Sequence, residues 1–180
     1  VSKKQLISMN SRMIFRGPDD DGYYMSDNFG MSMRRLAIID LKTGSQPISF
    51  EKGDIHLILN GEIYNFVELR EELKLKKYQF KTTSDTEVLL NLYLEHGENF
   101  IKYVNGIFSF AIYDNKQKKL LIYRDRLGVK PLYYYLDDKR FIFSSNLDSI
   151  LKLDIPNQLN SFSALSYLIN NYVPGESSIN

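Results

Sequence analysis

Three polar groups in this chain have the types and the placement to do chemistry together. The first is Asn60-Gly61-Glu62, which follows the apolar run Ile55-His56-Leu57-Ile58-Leu59. A short apolar run bounded by turn formers reads as a buried strand. The pattern therefore predicts a strand over 55–59 that stops on a carboxamide, a glycine N–H and a carboxylate. Charge that builds on a carbonyl oxygen needs fixed donors, and an Asn side chain beside a Gly N–H supplies two of them. Asn-Gly also fits a type I′ hairpin turn, but residues 65–73 continue as a helical pattern rather than a return strand. The second group is Arg35, in the otherwise apolar stretch Met33-Arg34-Arg35-Leu36-Ala37-Ile38-Ile39, where a solvated strand edge is the plain alternative. The third is Asp85, in the first turn of a predicted helix, where the helix dipole favours a carboxylate whatever its use. Together they offer a cation, an anion and an amide cradle. That set complements a free amino acid with a carbonyl in its side chain: an arginine fork pairs with an α-carboxylate, and an aspartate accepts from an α-ammonium.

The elements that must position these groups follow from periodicity. Leu6, Ile7, Met9, Met13 and Ile14 recur at helical spacing, which predicts a helix over 3–13. Arg16-Gly17-Pro18-Asp19-Asp20-Asp21-Gly22 is a polar turn. Strands are predicted over 23–26 and 31–39, joined by Asp27-Asn28-Phe29-Gly30, and Gly44-Ser45-Gln46-Pro47 breaks the chain before 55–59. Helices follow at 66–75 and 86–95. The second opens on Ser84-Asp85-Thr86-Glu87, where Ser84 as N-cap and Glu87 three residues on form a capping-box pattern. Four runs rich in Phe, Tyr, Ile and Leu then predict strands over 106–113, 119–124, 132–136 and 141–144. Short helices are predicted at 147–151 and 163–169, separated by Ile155-Pro156-Asn157. Two blocks of strands with helices between and after them imply an α+β layered domain with two mainly antiparallel sheets between helices.

Composition excludes several classes. The chain has 180 residues, 43% hydrophobic and 25% charged, enough for one sizeable core. A formal net charge of +1 gives no electrostatic case for nucleic acid or an anionic membrane. No apolar segment approaches the roughly 20 residues of a spanning helix, and no signal-peptide pattern opens the chain. There is no cysteine, hence no disulfide, no thiolate metal site and no cysteine nucleophile within these residues. The two histidines, His56 and His96, lie far apart, which argues against a histidine metal site. No metal is expected.

Six motifs then occur in one order: Arg16-Gly17-Pro18-Asp19, Arg35-Leu36-Ala37-Ile38-Ile39-Asp40, Gln46-Pro47, Asn60-Gly61-Glu62-Ile63-Tyr64-Asn65, Ser84-Asp85-Thr86-Glu87, and the block from Arg124-Asp125-Arg126-Leu127-Gly128 to Val129-Lys130-Pro131-Leu132-Tyr133-Tyr134. In this order they closely resemble the glutaminase domain of glutamine-hydrolysing asparagine synthetase, a class II glutamine amidotransferase. The resemblance covers nearly all of residues 1–180. It implies the N-terminal-nucleophile hydrolase fold, a four-layer αββα sandwich. In that family a cysteine at the mature N-terminus attacks the glutamine carboxamide, with its own α-amine as base. Such an amine titrates near ~7.7–8.0, suited to base work at neutral pH. The resemblance makes Asn60 and Gly61 the oxyanion hole and Arg35 the holder of the α-carboxylate. Asp85 and Glu62 would face the α-ammonium, Leu36, Ile38 and Ile39 would line the pocket, and Arg16 would lie near the cysteine.

The chain departs from the family pattern in lacking the cysteine. Phe15 stands where the family often has His, and Asn146 where an acidic residue is common. Residue 1 is Val rather than Met, so the chain reads as an internal segment, and truncation is the expected reason for the absent nucleophile. The alternative is a cysteine-free, catalytically degenerate domain with a structural or docking role. Residues 153–180, ending in Tyr172-Val173-Pro174-Gly175-Glu176-Ser177-Ser178-Ile179, resemble the approach to a C-terminal synthetase domain. That domain would use ATP and Mg to activate a carboxylate, aspartate by resemblance, and no cofactor is expected in the glutaminase part. The expected partners are L-glutamine and the protein's own synthetase domain, with a homodimer compatible and a cytoplasmic location implied.

Overall fold

The computed structural model describes residues 1–50 and 54–173. Its centre is a four-stranded antiparallel sheet in the order β3 (Ile48–Ser49), β4 (Ile55–Ile63), β5 (Gly106–Asp114) and β6 (Lys119–Arg124). The period of two along a strand sorts its side chains. Leu57, Leu59 and Ile63 of β4 share one face with Ile112, Phe110 and Phe108 of β5, which stand opposite Leu57, Leu59 and Gly61. Helices α2 (Phe66–Leu75) and α3 (Asp85–His96) cover that face with Leu69, Leu73, Val88, Leu89 and Leu92. A 3₁₀ segment, Gly97–Tyr103, adds Phe100, which is fully buried.

The other face carries His56, Ile58, Asn60 and Glu62, and it meets a second layer made of two separate hairpins. One pairs β1 (Asp20–Met25) with β2 (Gly30–Arg35), and the other pairs β7 (Tyr133–Leu136) with β8 (Phe141–Ser144). Aromatic rings seat the first hairpin: Tyr24 stacks on His56 at 3.4 Å between centroids and Phe29 on Tyr113 at 3.9 Å. Helices α1 (Lys3–Ser11) and α4 (Leu147–Leu151) close the outside, α1 over β2 and α4 over β8. The result is the αββα order, with the second sheet in two pieces rather than one.

Four expectations need correcting. The strand predicted over 55–59 runs on to Ile63, so Asn60-Gly61-Glu62 lies inside β4 instead of after it. The glycine marks a close approach: a Cβ on Gly61 would stand 2.1 Å from the Ile107 carbonyl oxygen. The strand predicted over 31–39 ends at Arg35. The capping box at α3 is half formed. Ser84 accepts from the Glu87 N–H at 3.2 Å, while the Glu87 carboxylate turns to the backbone N–H groups of Lys81 and Thr82, both at 2.8 Å. The last helix, α5 (Ser161–Asn170), is longer than its predicted 163–169, and the motif residues 174–179 lie outside the described residues. Among the described residues no helix is long and apolar enough to cross a membrane.

The helix-side core should dominate stability. Phe100 meets Tyr93, Phe110 and Tyr123 at ring distances of 5.8, 5.8 and 5.4 Å. Phe100→Ala should cost about 3–5 kcal/mol in urea unfolding. Leu75→Ala, at a side chain 86% exposed, should stay within about 0.5 kcal/mol.

Candidate active site

Antiparallel pairing makes successive residues point their backbone groups alternately towards and away from a partner strand. On β4 the parity is set by several contacts. Phe108 bonds twice to Asp125, its carbonyl accepting from the Asp125 N–H at 2.8 Å and its N–H donating to the carboxylate Oδ2 at 3.3 Å. Its groups therefore face β6, and its partner Gly61 faces away from β5. The same outward edge of β4 is otherwise covered. Leu57 pairs with β3. The Leu59 N–H donates to Gln46 Oε1 at 2.7 Å, and the Ile63 N–H to Asp85 Oδ2 at 3.1 Å. Among the described residues, the Gly61 N–H has no such cover.

One residue earlier, the side chain of Asn60 turns to the other face, where it lines a cavity of about 960 Å³. Its Nδ2 is buried and has no hydrogen-bond partner among the described residues. A buried donor without a partner costs stability, and this one is turned towards the cavity. Asn60 and Gly61 thus offer two adjacent free donors, the arrangement that stabilises a developing oxyanion.

Charge lines the same cavity. Arg35 ends β2 and is buried, 7% exposed. Its Nη2 donates to the carbonyls of Ile39 at 2.9 Å and Asp40 at 2.5 Å. Gly44 leaves room for it, since a Cβ there would lie 2.5 Å from that nitrogen. Nε and Nη1 find no acceptor among the described residues, and no ion pair neutralises the guanidinium there. Asp85 is buried at the start of α3. Burial raises its pKa, the nearby Glu62 charge adds to the rise, and backbone N–H groups of Ile63 and Thr86 oppose it. A buried cation without a counter-ion and two carboxylates facing one space are costly unless a ligand with both charges binds.

The cavity brings Arg35, Leu36, Ile38, Ile39, Asn60, Gly61, Glu62, Asp85 and Arg16 together. Leu36 and Ile38 are exposed, and Ile39 contributes its carbonyl to Arg35. No cluster of three or more His, Cys, Asp or Glu residues able to hold a metal occurs among the described residues.

Residues 1–180 in full match the glutamine amidotransferase domain family. The chain belongs to that family. It is 39% identical over 180 residues to asparagine synthetase [glutamine-hydrolyzing] 1 of Bacillus subtilis (strain 168), covering 99% of this chain and 28% of that protein. Asparagine synthetase B [glutamine-hydrolyzing] of Escherichia coli (strain K12) is 39% identical over 168 residues, 92% of this chain and 30% of the relative. The chain thus spans under a third of the length of these relatives. Among solved structures, glutamine phosphoribosylpyrophosphate amidotransferase of B. subtilis, complexed with ADP and GMP, superposes with a TM-score of 0.57 at 24% identity, over 67% of this chain and 28% of that one. An allosteric regulatory enzyme of purine biosynthesis gives 0.59 at 22%, over 68% and 29%. These two likenesses carry the fold, that of the N-terminal-nucleophile amidotransferases.

In this amidotransferase domain the tertiary structure adds residues whose work the sequence did not disclose. Gln46 caps both backbone groups of Leu59, donating to its carbonyl at 3.3 Å as well as accepting from its N–H. Asp125 gathers the N–H groups of Leu127, Val129 and Lys130 at 3.2, 2.9 and 3.0 Å. The Arg124 guanidinium closes the same turn on the Lys130 and Gly128 carbonyls. Residues 124–130 of the long block are therefore a self-bonded turn between β6 and β7, and Lys130 and Leu132 reach the cavity. Asn146 caps α4 through a 3.0 Å bond from the Asp148 N–H.

The raised pKa of Asp85 has a direct consequence for the unliganded domain. A carboxyl that holds its proton more tightly when folded stabilises the fold at low pH. That contribution is lost as pH climbs from the unfolded value of about 3.9 through the higher folded one. Asp85→Asn keeps an oxygen for the Ile63 N–H and removes the charge. In thermal melts the Asn variant should match the parent near pH 4 and exceed its Tm at pH 7.

Proposed function

We propose that this chain is the glutamine-hydrolysing part of an asparagine synthetase-like amidotransferase. The observation that carries the reading is the pair of unoccupied donors, the Asn60 amide and the Gly61 N–H, in a cavity that also holds an uncompensated arginine and a buried aspartate. L-Glutamine fits this set by chemistry. Its α-carboxylate meets the Arg35 fork, its α-ammonium meets Asp85 and Glu62, and its side-chain carbonyl oxygen takes the two donors. Leu36, Ile38 and Ile39 line the aliphatic part.

The nucleophile in this reading is a cysteine at the head of an extended strand lodged in the cavity. Among the described residues, β2 pairs only with β1, and β8 only with β7. The cavity is lined by consecutive residues of each, 30–35 and 141–145. A strand seen face-on would contribute alternate residues, so both strands turn an edge to the cavity. An extended segment between them would hydrogen-bond on both sides. The thiolate then attacks the amide carbon, a C–S bond forms, and Asn60 and Gly61 hold the oxyanion. The α-amine delivers the thiol proton to the leaving nitrogen, the C–N bond breaks, and ammonia departs. Water hydrolyses the thioester to glutamate. The ammonia would pass to a synthetase domain that activates a carboxylate with ATP and Mg, aspartate in this reading.

The test is ammonia release from glutamine by the chain extended with a Cys-led strand whose α-amine is free. Cys→Ala and acetylation of the amine should each abolish release without unfolding the domain. Asn60→Ala should lower kcat by about 10²–10³. Arg35→Ala should weaken glutamine binding by about 2–5 kcal/mol, and Arg35→Lys should recover only part of it. A correctly processed, folded extension that released no ammonia would sink the reading in favour of a cysteine-free structural domain.

A further inference from the structure

Asp40 does not line the cavity, but it bonds towards two charged groups that do, Arg35 and Asp85. It follows the short segment after β2, in a left-handed backbone conformation with φ 55°. Its main-chain carbonyl receives the Arg35 guanidinium. Its carboxylate does two further things. Oδ1 accepts from the Thr43 N–H at 2.8 Å and Oδ2 from the Thr43 hydroxyl at 2.6 Å, which closes the loop on itself. Oδ2 also accepts from the backbone N–H of Thr83 at 2.7 Å, two residues before Asp85. Burial alone would raise this carboxyl, but the hydrogen bonds from Thr43 and Thr83 outweigh it and hold it well below the usual carboxylate range.

The segment 81–84 is otherwise held from its own side of the molecule. Glu87 of α3 binds the Lys81 and Thr82 N–H groups, and Arg70 of α2 donates to the Thr82 and Ser84 carbonyls at 2.8 and 3.0 Å. From the segment after β2, Gln46 reaches Thr86 at 3.3 Å, far along the chain from Arg35. Asp40 makes the tie at the Arg35 end.

We propose that Asp40 is a positioning residue that fixes Arg35 relative to Asp85, and so sets how the site recognises the carboxylate and ammonium of an α-amino acid. The inference rests on the glutamine reading. One residue bonds the guanidinium through its carbonyl and the helix-start loop through its carboxylate, so the two charge partners share a single rigid link. Asp40→Asn leaves an amide nitrogen or one oxygen where Thr83 and Thr43 need acceptors, and the link loosens without a core change.

The test is calorimetric titration with L-glutamine of the chain extended by its N-terminal strand, with Ala in place of the leading cysteine so that glutamine is not turned over, together with thermal melts. Asp40→Asn should weaken glutamine about tenfold or more while Tm moves by only a few degrees, and the Thr83 amide proton should shift upfield in NMR spectra. Thr43→Val, which spares the Thr83 tie, should change affinity less than about threefold. Asp40→Asn added to Arg35→Ala should weaken binding little beyond Arg35→Ala alone, since the two act as one unit. A loop-stabilising role alone would lower Tm and give additive losses. Unchanged affinity in Asp40→Asn, or full additivity with Arg35→Ala, would overturn the proposal while the glutamine reading stands. Failure of the extended chain with Asp40 and Arg35 intact to bind glutamine would overturn that reading, and this proposal with it.

Discussion

Hydrogen-bond parity along β4 governs the arrangement of everything around it. An antiparallel strand must send every second residue's N–H and C=O away from its partner, and β4 has a full-length partner on only one side. Its outward groups at 57, 59, 61 and 63 therefore need separate solutions. β3, Gln46 and Asp85 take three of them. The fourth, at Gly61, sits beside the residue whose side chain points into the cavity. Two donors with different origins, one main-chain and one amide, come to lie together only because adjacent residues on a strand face orthogonal ways. Gly61 must stay glycine for a second reason, the 2.1 Å approach of the Ile107 oxygen to a Cβ.

The charged groups impose a different condition. Arg35, Glu62 and Asp85 are gathered without being paired to one another, and each buried charge costs more than a paired one. The neighbouring carboxylates Glu87 and Asp125, buried like Asp85, each accept several N–H groups. Asp85 accepts from the Ile63 N–H while lining the cavity. The cost of gathering these charges is offset by the helix-side core around Phe100 and Leu89.

Elements with strong local patterns were legible in the amino-acid order. The bounds of Phe66–Leu75, Lys119–Arg124, Phe141–Ser144 and Leu147–Leu151 coincide with the periodic runs, because each is flanked by turn formers and packs its patterned face. The strand through Asn60-Gly61 was cut short because glycine punctuates most chains, whereas here it admits a neighbouring backbone. The end of β2 at Arg35 was missed since Leu36, Ile38 and Ile39 read as strand. What bends them is the left-handed Asp40 and the guanidinium bonds to the Ile39 and Asp40 carbonyls, and neither leaves a local signal. Two-residue β3 is too short for any pattern. At the site, the residue types pointed to a cation, an anion and a donor pair. The roles of Gln46 and Asp40 depend on partners 13 and 43 residues away, which no spacing rule reaches.

The split of the second sheet into two hairpins divides the site between parts of unequal cooperativity. Asn60, Gly61 and Asp85 belong to the four-stranded sheet and its helices, whose amides should exchange with solvent only on near-global opening. Arg35 belongs to a two-stranded hairpin, a unit with little stability of its own. Any ligand gripped at both ends therefore acts as a removable cross-link between a slow foldon and a fast one. Its binding free energy would be deposited mainly in the hairpin, so occupancy of the cavity would be recorded in the exchange protection of β1 and β2.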